Sequence, residues 1–310
     1  MKIIQRTLLL TITFLGSILF VVVKFRCFTS HRKEERLSPI IFVGGFPRSG
    51  TTLMRVLLDT HPDIRCGQET HVIPKFLLHL GYINRKREKR RLNEAGVTEN
   101  VLDSAAASFI FQIIKNHGAP APILCNKDPL SLRNTTYLSK LFPNAKFVLM
   151  VRDVRAVVHS IISRKVVIRG LKNHTYEDLF RKWSYAVEKM DNQCTALGRR
   201  KCLSVYYEHL VLFPERTMKA VFDFVGVKWN DRVLHHERLV GKPRGPVVSS
   251  LEKSSDQVKE PIYHSSLYGW MDGLPVETWK YLDELAPIMK QMGYDTVSQK
   301  PDYQKMAVKL

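Results

Sequence analysis

Two glycines, Gly45 and Gly50, stand between an apolar run and a segment with helical apolar periodicity. A strand followed by a glycine-containing loop and a helix directs free backbone N–H groups into one small volume, which suits a phosphate group. The glycine spacing matches the front half of a Walker A loop, but Thr51 and Thr52 stand where a nucleoside triphosphatase carries lysine and a hydroxyl residue. The pattern therefore predicts a loop for a phosphate that stays bound while another group is transferred. A chance turn containing glycines is the alternative.

Further polar side chains are expected beside this loop, because ligands of open parallel sheets bind beyond the carboxyl ends of the strands. The residues at the predicted strand ends are Arg48, Ser49, Lys127, Arg152 and Tyr207. Two arginines and a lysine favour an anion with more than one phosphate-like group. Ser160 and Arg164 follow on the next predicted helix, where either residue alone is more often a surface residue. Together with the loop, the set predicts a nucleotide site.

Glu69 is the candidate general base. It lies in the first loop after the predicted phosphate-binding helix, where a carboxylate could accept a proton from a bound hydroxyl group. An ordinary surface glutamate is the alternative.

The elements that must position these residues alternate along the chain, which favours an α/β fold with a mainly parallel sheet flanked by helices. Strands are predicted at residues 40–43, 123–127, 146–151 and 203–207. Helices are predicted at residues 51–60, 101–117, 154–164, 176–197, 214–225 and 277–292. The segment 66–75 begins as a turn, and a helix is expected to follow it to residue 82. The charged run 85–91 indicates a solvated helix face or loop.

One domain is expected to span residues 39–295, followed by a basic, disordered tail over 296–310. Within the domain, the long polar loop 241–255 is typical of a lid or binding segment.

The net charge of +19 is compatible with nucleic acid, an anionic membrane or an acidic substrate as partner. We expect no nucleic acid, since the chain has neither zinc-finger spacing nor a basic helix with interleaved aromatic residues. We also expect no metal, because CxxC and HExxH motifs are absent and the run from His235 to Glu237 lacks ligand spacing.

Residues 7–23 form an uncharged, mostly apolar stretch that predicts a signal-anchor transmembrane helix. It would separate a short cytoplasmic tail, residues 1–6, from a solvated stem over 24–38. A cleaved signal peptide is the alternative, although bulky residues occupy the expected cleavage site.

Orientation of this anchor rests on two glycosylation acceptor motifs, at Asn134 and Asn173. Basic residues are more numerous after the apolar stretch than before it, which opposes a lumenal domain by the positive-inside rule. The acceptor motifs favour a lumenal domain, because only there can they be glycosylated.

Four cysteines lie in the predicted domain, and an even number in an oxidising compartment indicates disulfides. Of three possible connectivities we favour Cys66 with Cys125 and Cys194 with Cys202. Four buried free thiols are the alternative.

Six ordered motifs closely resemble the protein-tyrosine sulfotransferases over residues 39–294. They are VGGFPRSGTTLM from Val43, RCGQET from Arg65, LCNKDP from Leu124, MVRDVR from Met150, VLHHE from Val233 and SSDQV from Ser254. The resemblance implies a P-loop-like sulfotransferase fold in a type II Golgi membrane enzyme, usually a homodimer. Such enzymes transfer a sulfuryl group from 3′-phosphoadenylyl sulfate to tyrosine hydroxyls in acidic segments of secreted and membrane proteins. The family's disulfides match the favoured pairing.

The resemblance also assigns roles to residues of this sequence. It makes Glu69 the general base, and Arg48, Lys127 and Ser254 the groups that stabilise developing charge. The 5′-phosphosulfate would contact Arg48, Ser49, Gly50, Thr51 and Thr52. The 3′-phosphate would contact Arg152 and Ser160. The rest of the donor site would comprise Arg164, Tyr207 and the lid residues Ser254, Ser255, Asp256, Gln257, Val258, Lys259, Glu260, Pro261, Ile262 and Tyr263. The acceptor peptide would contact His71, Val72, Ile73, Pro74, Lys75 and Arg91.

The chain departs from this family at three positions. His71 and Lys75 stand where arginine is usual, and Gly269 replaces a lysine that contacts the donor. Lys259 is a possible substitute for that lysine.

Three other functions fit parts of the sequence. A carbohydrate sulfotransferase would share the donor loop but take a sugar hydroxyl, and a lumenal binding protein would keep the fold without catalysis. A P-loop kinase would bind a nucleoside triphosphate with Mg²⁺.

Overall fold

Five parallel strands form the centre of the protein in a computed structural model that describes residues 34–168 and 175–306. The strands lie in the order β2-β3-β1-β4-β5. Their bounds are β1 (Ile40–Gly45), β2 (Ile64–Cys66), β3 (Ile123–Lys127), β4 (Lys146–Val151) and β5 (Cys202–Tyr206). The predicted strands 123–127 and 146–151 are confirmed, whereas the three-residue β2 is too short to show a periodic pattern.

Both faces of the sheet are buried, which explains why its central strands are almost uniformly apolar. Ile40 and Phe42 belong to the core on one face, and the alternate residues Ile41 and Val43 belong to the core on the other. Phe42 stacks on Phe147 of the neighbouring strand, with 5.5 Å between ring centroids. The alternation of side chains along each strand therefore builds two cores from one sheet.

Helices cover the sheet, and most of them match the predicted positions. They are α1 (Thr51–Asp59), α2 (Val72–Ile83), α3 (Lys86–Glu94), α4 (Glu99–Asn116), α5 (Thr135–Leu141), α6 (Val154–Ser163), α7 (Tyr176–Leu197), α8 (Tyr207–Leu212), α9 (Pro214–Val225), α10 (Ser265–Tyr268), α11 (Leu282–Leu285) and α12 (Ile288–Gln291). Short 3₁₀ segments occur at Pro129–Asn134, Asp231–Arg238, Gln257–Lys259 and Val276–Thr278. The charged run that we left open between helix and loop is helical, and α3 buries none of its residues.

The predicted helix over residues 277–292 is wrong. The chain there forms the 3₁₀ turn Val276–Thr278 and the two four-residue helices α11 and α12. Pro287 lacks the N–H needed to continue the first helix, and Ala286 before it has φ −140° and ψ 60°, outside the helical region. Trp279 is buried edge-to-face against Trp270, so local packing replaces helical continuity.

The prediction of disorder beyond residue 295 is wrong as far as residue 306. Tyr303 is fully buried; its hydroxyl donates to Asp153 Oδ2 (2.9 Å) and accepts from Trp270 Nε1 (3.2 Å). The buried guanidinium of Arg155 donates to the carbonyl oxygens of Asp295 (2.6 Å) and Ser298 (2.9 Å). Buried charged groups require such partners, and the C-terminal segment supplies them.

The favoured cysteine pairing is confirmed. Cys66 and Cys125 face each other in register on β2 and β3, and their Cα atoms are 4.4 Å apart. Cys194 and Cys202 link the last turn of α7 to the first residue of β5.

The predicted cytoplasmic tail and anchor, 1–6 and 7–23, lie outside the described residues, as does Asn173. None of the helices in the described ranges is long and apolar enough to cross a membrane. At the end of the predicted stem, Glu34 and Leu37 are exposed, whereas Glu35 is buried and accepts a hydrogen bond from Gln112 (2.8 Å). Asn134 is half-buried at the end of a 3₁₀ turn.

Replacing Tyr303 by phenylalanine tests the role of the C-terminal segment. We expect Tyr303→Phe to lower the free energy of unfolding by about 2 kcal/mol, because the buried Asp153 carboxylate and the Trp270 N–H each lose a partner. Denaturant unfolding measures this change. Tyr281→Phe, at a side chain that is 58% exposed, is the matched control and is expected to leave the midpoint unchanged. Equal midpoints for Tyr303→Phe and the wild type would contradict the packing of the segment.

Candidate active site

The loop between β1 and α1 has the backbone shape of an anion-binding loop. Gly50 has φ +89°, and a Cβ added there would lie 2.3 Å from the ring of Tyr207, so only glycine fits. Arg48 also has a positive φ, of 75°. Ser49, Thr51 and Thr52 are buried at the start of α1. Their hydroxyl and N–H groups therefore converge where a phosphate group would bind.

Arg48 joins three parts of the chain at this loop. Its guanidinium donates to Ser160 Oγ on α6 (3.0 Å), to Gln257 Oε1 (2.8 Å) and to the Ser254 hydroxyl. Burial, followed by the charges of Arg152 and Arg164, lowers the pKa of Arg48 to about 10. The site is thus strongly cationic, as expected for a site that binds an anion.

Arg152 lies beside Arg48 at the end of β4. It donates to the Arg48 carbonyl oxygen (3.0 Å) and to the Ser266 carbonyl oxygen (2.6 Å), and its guanidinium lies 4.3 Å from the ring centroid of Tyr207. Tyr207 was predicted as the last residue of a strand, but it is the first residue of α8, because β5 begins and ends one residue earlier than predicted. The Tyr207 hydroxyl donates to Ser266 Oγ (3.0 Å). Our sequence analysis missed Ser266.

The two residues predicted on the helix after Arg152 both act on Arg48 of the loop. Ser160 contacts Arg48 directly. Arg164 follows the last residue of α6 and is exposed, and its charge acts on Arg48.

A cleft with about 490 Å³ of empty space opens beside the loop. Its lining contains seven of the ten predicted lid residues, namely Ser254, Gln257, Val258, Glu260, Pro261, Ile262 and Tyr263. Ser255 instead turns inward and its hydroxyl bonds to the Ser249 carbonyl oxygen, while Asp256 and Lys259 pair with each other (3.1 Å). Seven residues of the predicted lid therefore line the cleft and three do not, and their contact with a donor stays a prediction.

Lys127 and Glu69 meet beside Thr52, a residue that lines this cleft. The Lys127 side chain is fully buried, and its ammonium group contacts a Glu69 carboxylate oxygen and lies 3.2 Å from Thr52 Oγ1. Glu69 and Thr52 of the phosphate loop thus contact the same ammonium group, and the role of Glu69 as base stays a prediction.

Glu252 is the third charged group at Lys127, and our sequence analysis missed it. Its Oε2 is 2.9 Å from Lys127 Nζ, and its Oε1 accepts the backbone N–H of Glu69 at 3.0 Å. Burial acts to raise the pKa of Glu252, but Lys127 and the Glu69 N–H lower it more, so the pKa lies below its usual value. The one available signal was that Glu252 is the only acidic residue in the polar loop 241–255.

The predicted peptide-contacting segment begins beside the base. His71 Nε2 lies 3.4 Å from Glu69 Oε2, and the His71 backbone N–H donates to Asp128 Oδ1 (2.9 Å). His71, Val72 and Lys75 are exposed and Pro74 is half-buried. The Ile73 side chain is completely buried in the core, and the peptide contacts of this segment stay a prediction.

Arg91 is exposed on α3, where it pairs with Glu88 at 2.7 Å. Its link to the cleft rests on the family resemblance, and its role stays a prediction. No cluster of three or more His, Cys, Asp or Glu side chains within the described ranges could hold a metal ion.

Comparison with known proteins identifies the family of this chain. The sequence profile of the sulfotransferase family matches residues 39–231. Protein-tyrosine sulfotransferase 2 of Gallus gallus is 50% identical over 278 residues, which are 88% of this chain and 75% of the relative. Protein-tyrosine sulfotransferase 1 of Homo sapiens is 51% identical over 268 residues, 86% of this chain and 72% of the relative. The chain belongs to the protein-tyrosine sulfotransferase family. It is therefore a transferase.

The fold agrees with this family. A sulfotransferase domain from the curacin biosynthetic pathway superimposes with a TM-score of 0.59 at 22% identity, over 82% of this chain and 98% of that domain. The shared architecture is the parallel sheet flanked by helices.

In this member of the protein-tyrosine sulfotransferases, a buried network supports the cleft from below. Glu208, next to Tyr207, accepts hydrogen bonds from the Asp153 N–H (2.9 Å) and from the Tyr294 hydroxyl (2.9 Å). Burial raises the pKa of Glu208 to about 7. The residues that follow β4, including Arg152, and the start of α8, which carries Tyr207, are thus linked through buried groups.

The raised pKa of Glu208 predicts how stability depends on pH. Because the folded carboxyl group keeps its proton up to about pH 7, the folded state binds more protons than the unfolded state above the usual value of 4.5. The free energy of unfolding therefore falls as pH rises through this interval. We expect Glu208→Gln to remove roughly 2 to 4 kcal/mol of this fall between pH 4.5 and 7.

Unfolding curves at several pH values measure the effect as the difference between variant and wild type. Glu215→Gln is the matched control, because Glu215 is exposed on α9 and pairs with Lys219 there. Parallel pH profiles for Glu208→Gln and the wild type would show that Glu208 is already ionised at low pH.

Proposed function

We propose that this transferase moves a sulfuryl group from 3′-phosphoadenylyl sulfate to tyrosine hydroxyls in acidic segments of proteins, with Glu69 as general base. The observation that carries the proposal is the position of the Glu69 carboxylate, which contacts the buried Lys127 ammonium beside Thr52 of the phosphate loop. A base, a cation and an anion-binding loop within hydrogen-bond reach of one another are the groups that such a transfer needs.

Residues of the cleft fit a donor with two separate anionic groups. Among the described residues, the Ser49 hydroxyl and Arg152 Nε are buried without a hydrogen-bond partner. Ser49 would serve the 5′-phosphosulfate together with Arg48, and Arg152 would serve the 3′-phosphate together with Ser160. Tyr207 and Tyr263 in the cleft lining offer aromatic surface to the rest of the nucleotide.

The proposed reaction is an in-line displacement at sulfur. The tyrosine oxygen forms the new O–S bond as the donor's bond between sulfur and the bridging phosphate oxygen breaks, and 3′-phosphoadenosine 5′-phosphate leaves. A phenol with pKa about 10 attacks poorly until its proton has an acceptor. Glu69 takes that proton, while Lys127, Arg48 and Ser254 stabilise negative charge on the transferring group and the leaving phosphate.

The acceptor is proposed to be acidic because the surface around the base is basic. The net charge is +19. The exposed His71 lies beside Glu69, and the exposed Lys75 follows on α2. Long-range attraction would concentrate Asp- and Glu-rich segments there and orient them.

The proposed setting is the Golgi lumen, with the chain anchored as a single-pass type II membrane protein and assembled as a homodimer. Two disulfides support an oxidising compartment, and the acceptor motif at Asn134 is compatible with lumenal glycosylation. The anchor itself stays a sequence prediction.

A single transfer assay tests the reaction. The purified protein is incubated with ³⁵S-labelled donor and either an acidic tyrosine peptide or a glycosaminoglycan. We expect label on the peptide only, and none when its tyrosine is replaced by phenylalanine. Label on the glycosaminoglycan alone would establish a carbohydrate sulfotransferase, and donor binding without transfer would establish a binding protein.

Removal of the base tests the role of Glu69. We expect Glu69→Ala to lower kcat by about 10²- to 10⁴-fold, because the phenol loses its proton acceptor. Binding of 3′-phosphoadenosine 5′-phosphate, followed by calorimetry, should persist within a few-fold. Glu215→Gln, on the remote helix α9, is expected to match the wild type in both measurements. Turnover retained by Glu69→Ala would mean that another group is the base.

Ionic strength tests the steering of acidic substrates. We expect kcat/KM for an acidic peptide to fall at least tenfold between about 0.05 and 0.5 M salt, because screening shortens the reach of the basic surface. A tyrosine peptide of the same length without acidic residues should show a shallow dependence. Equal slopes for the two peptides would contradict electrostatic recognition.

A further inference from the structure

One acidic side chain of the polar loop 241–255 reaches the buried Lys127 ammonium group. Leu251 is 90% exposed at the tip of the polar loop, yet the side chain of the next residue, Glu252, is only 8% exposed. A carboxylate in a site that must bind an anionic donor opposes binding by charge repulsion. We therefore expect a role of Glu252 that offsets this repulsion.

The contacts of Glu252 join the polar loop 241–255 to the loop that carries Glu69. One carboxylate oxygen accepts the Glu69 backbone N–H, and the other lies 2.9 Å from Lys127 Nζ and 3.4 Å from Thr52 Oγ1. The Glu69 N–H needs only an acceptor, which an uncharged side chain could also provide. The contact with Lys127 is the one that uses the negative charge.

Lys127 is consequently shared between two carboxylates. With a single cation between them, each carboxylate receives less stabilisation than it would alone, and the second negative charge favours protonation of the first. A carboxylate held by Lys127 alone would be a weaker base. His71 Nε2, 3.4 Å from Glu69 Oε2, is the other titratable group that faces this carboxylate, and when protonated it acts in the same direction as Lys127. Glu252 opposes the effect of both.

We propose that Glu252, on the polar loop 241–255, is a positioning residue that keeps Glu69 basic by sharing Lys127. The inference rests on the proposed function, in which Glu69 takes the tyrosine proton. Glu252 itself does not contact the transferring group in this account; it holds the Glu69 backbone and competes for the Lys127 ammonium.

The test is the pH profile of Glu252→Gln, which can keep the bond to the Glu69 N–H but lacks the charge. We expect the acid limb of kcat/KM for the acidic tyrosine peptide to move to lower pH by about one unit, because Glu69 loses a neighbouring negative charge. At the plateau, kcat should fall several-fold, because the base is weaker. Binding of 3′-phosphoadenosine 5′-phosphate should not weaken.

Two further variants separate charge from structure. Glu252→Asp retains the charge, and its acid limb should lie closer to the wild-type position than that of Glu252→Gln. Glu252→Ala removes both contacts, so its acid limb should shift in the same direction with a larger loss of kcat. Glu215→Gln, which removes a charge from α9, should leave the profile unchanged.

Each outcome decides one hypothesis. A wild-type protein that transfers no label to tyrosine would sink the proposed function, whatever the variants do. If the wild type is active and the acid limb stays in place in both Glu252→Gln and Glu252→Ala, only the present inference fails. Thermal unfolding checks the variants; failure of both to fold would also overturn it, since Glu252 would then serve stability.

Discussion

A buried ammonium group is the constraint on which the site depends. The Lys127 side chain is completely enclosed at the end of β3, and an isolated charge there would be prohibitively costly. Carboxylates from two distant parts of the chain, Glu69 and Glu252, offset that cost, and Thr52 adds a hydroxyl group. The need to neutralise one cation therefore brings the base, the lid and the phosphate loop to a single point.

A second buried charge network does the same beneath the donor cleft. Asp153 and Arg155 follow directly after β4, and their partners come from α8 and from the C-terminal segment through Tyr303. Because these groups are buried, their hydrogen bonds must be satisfied within the protein, and this requirement fixes the neighbouring Arg152 and Tyr207. The two networks begin at the ends of β3 and β4, the strands on either side of β1. The first contains the proposed reacting groups, and the second supports them.

Local patterns were sufficient where the determining contacts are close in sequence. The apolar run 146–151 and the helical periodicity of 176–197 were predicted with the bounds that the structure has, because burial on both sheet faces and one apolar helix face leave direct periodic signals. Local patterns failed after residue 276. There, Pro287 and the buried Trp279 break the helix, and partners about 140 residues away hold the segment around Ser298 in place.

The phosphate loop, the family and the candidate base were all predicted from the sequence, because they depend on residue types at short, fixed spacings. The folded arrangement alone reveals that Glu252 reaches Lys127, that the Ile73 side chain lies in the core, and that Ser160 contacts Arg48. These relations depend on which side chains meet across 112 to 125 positions of the chain. Such meetings are set by packing and charge neutralisation in the folded domain, and no local pattern encodes them.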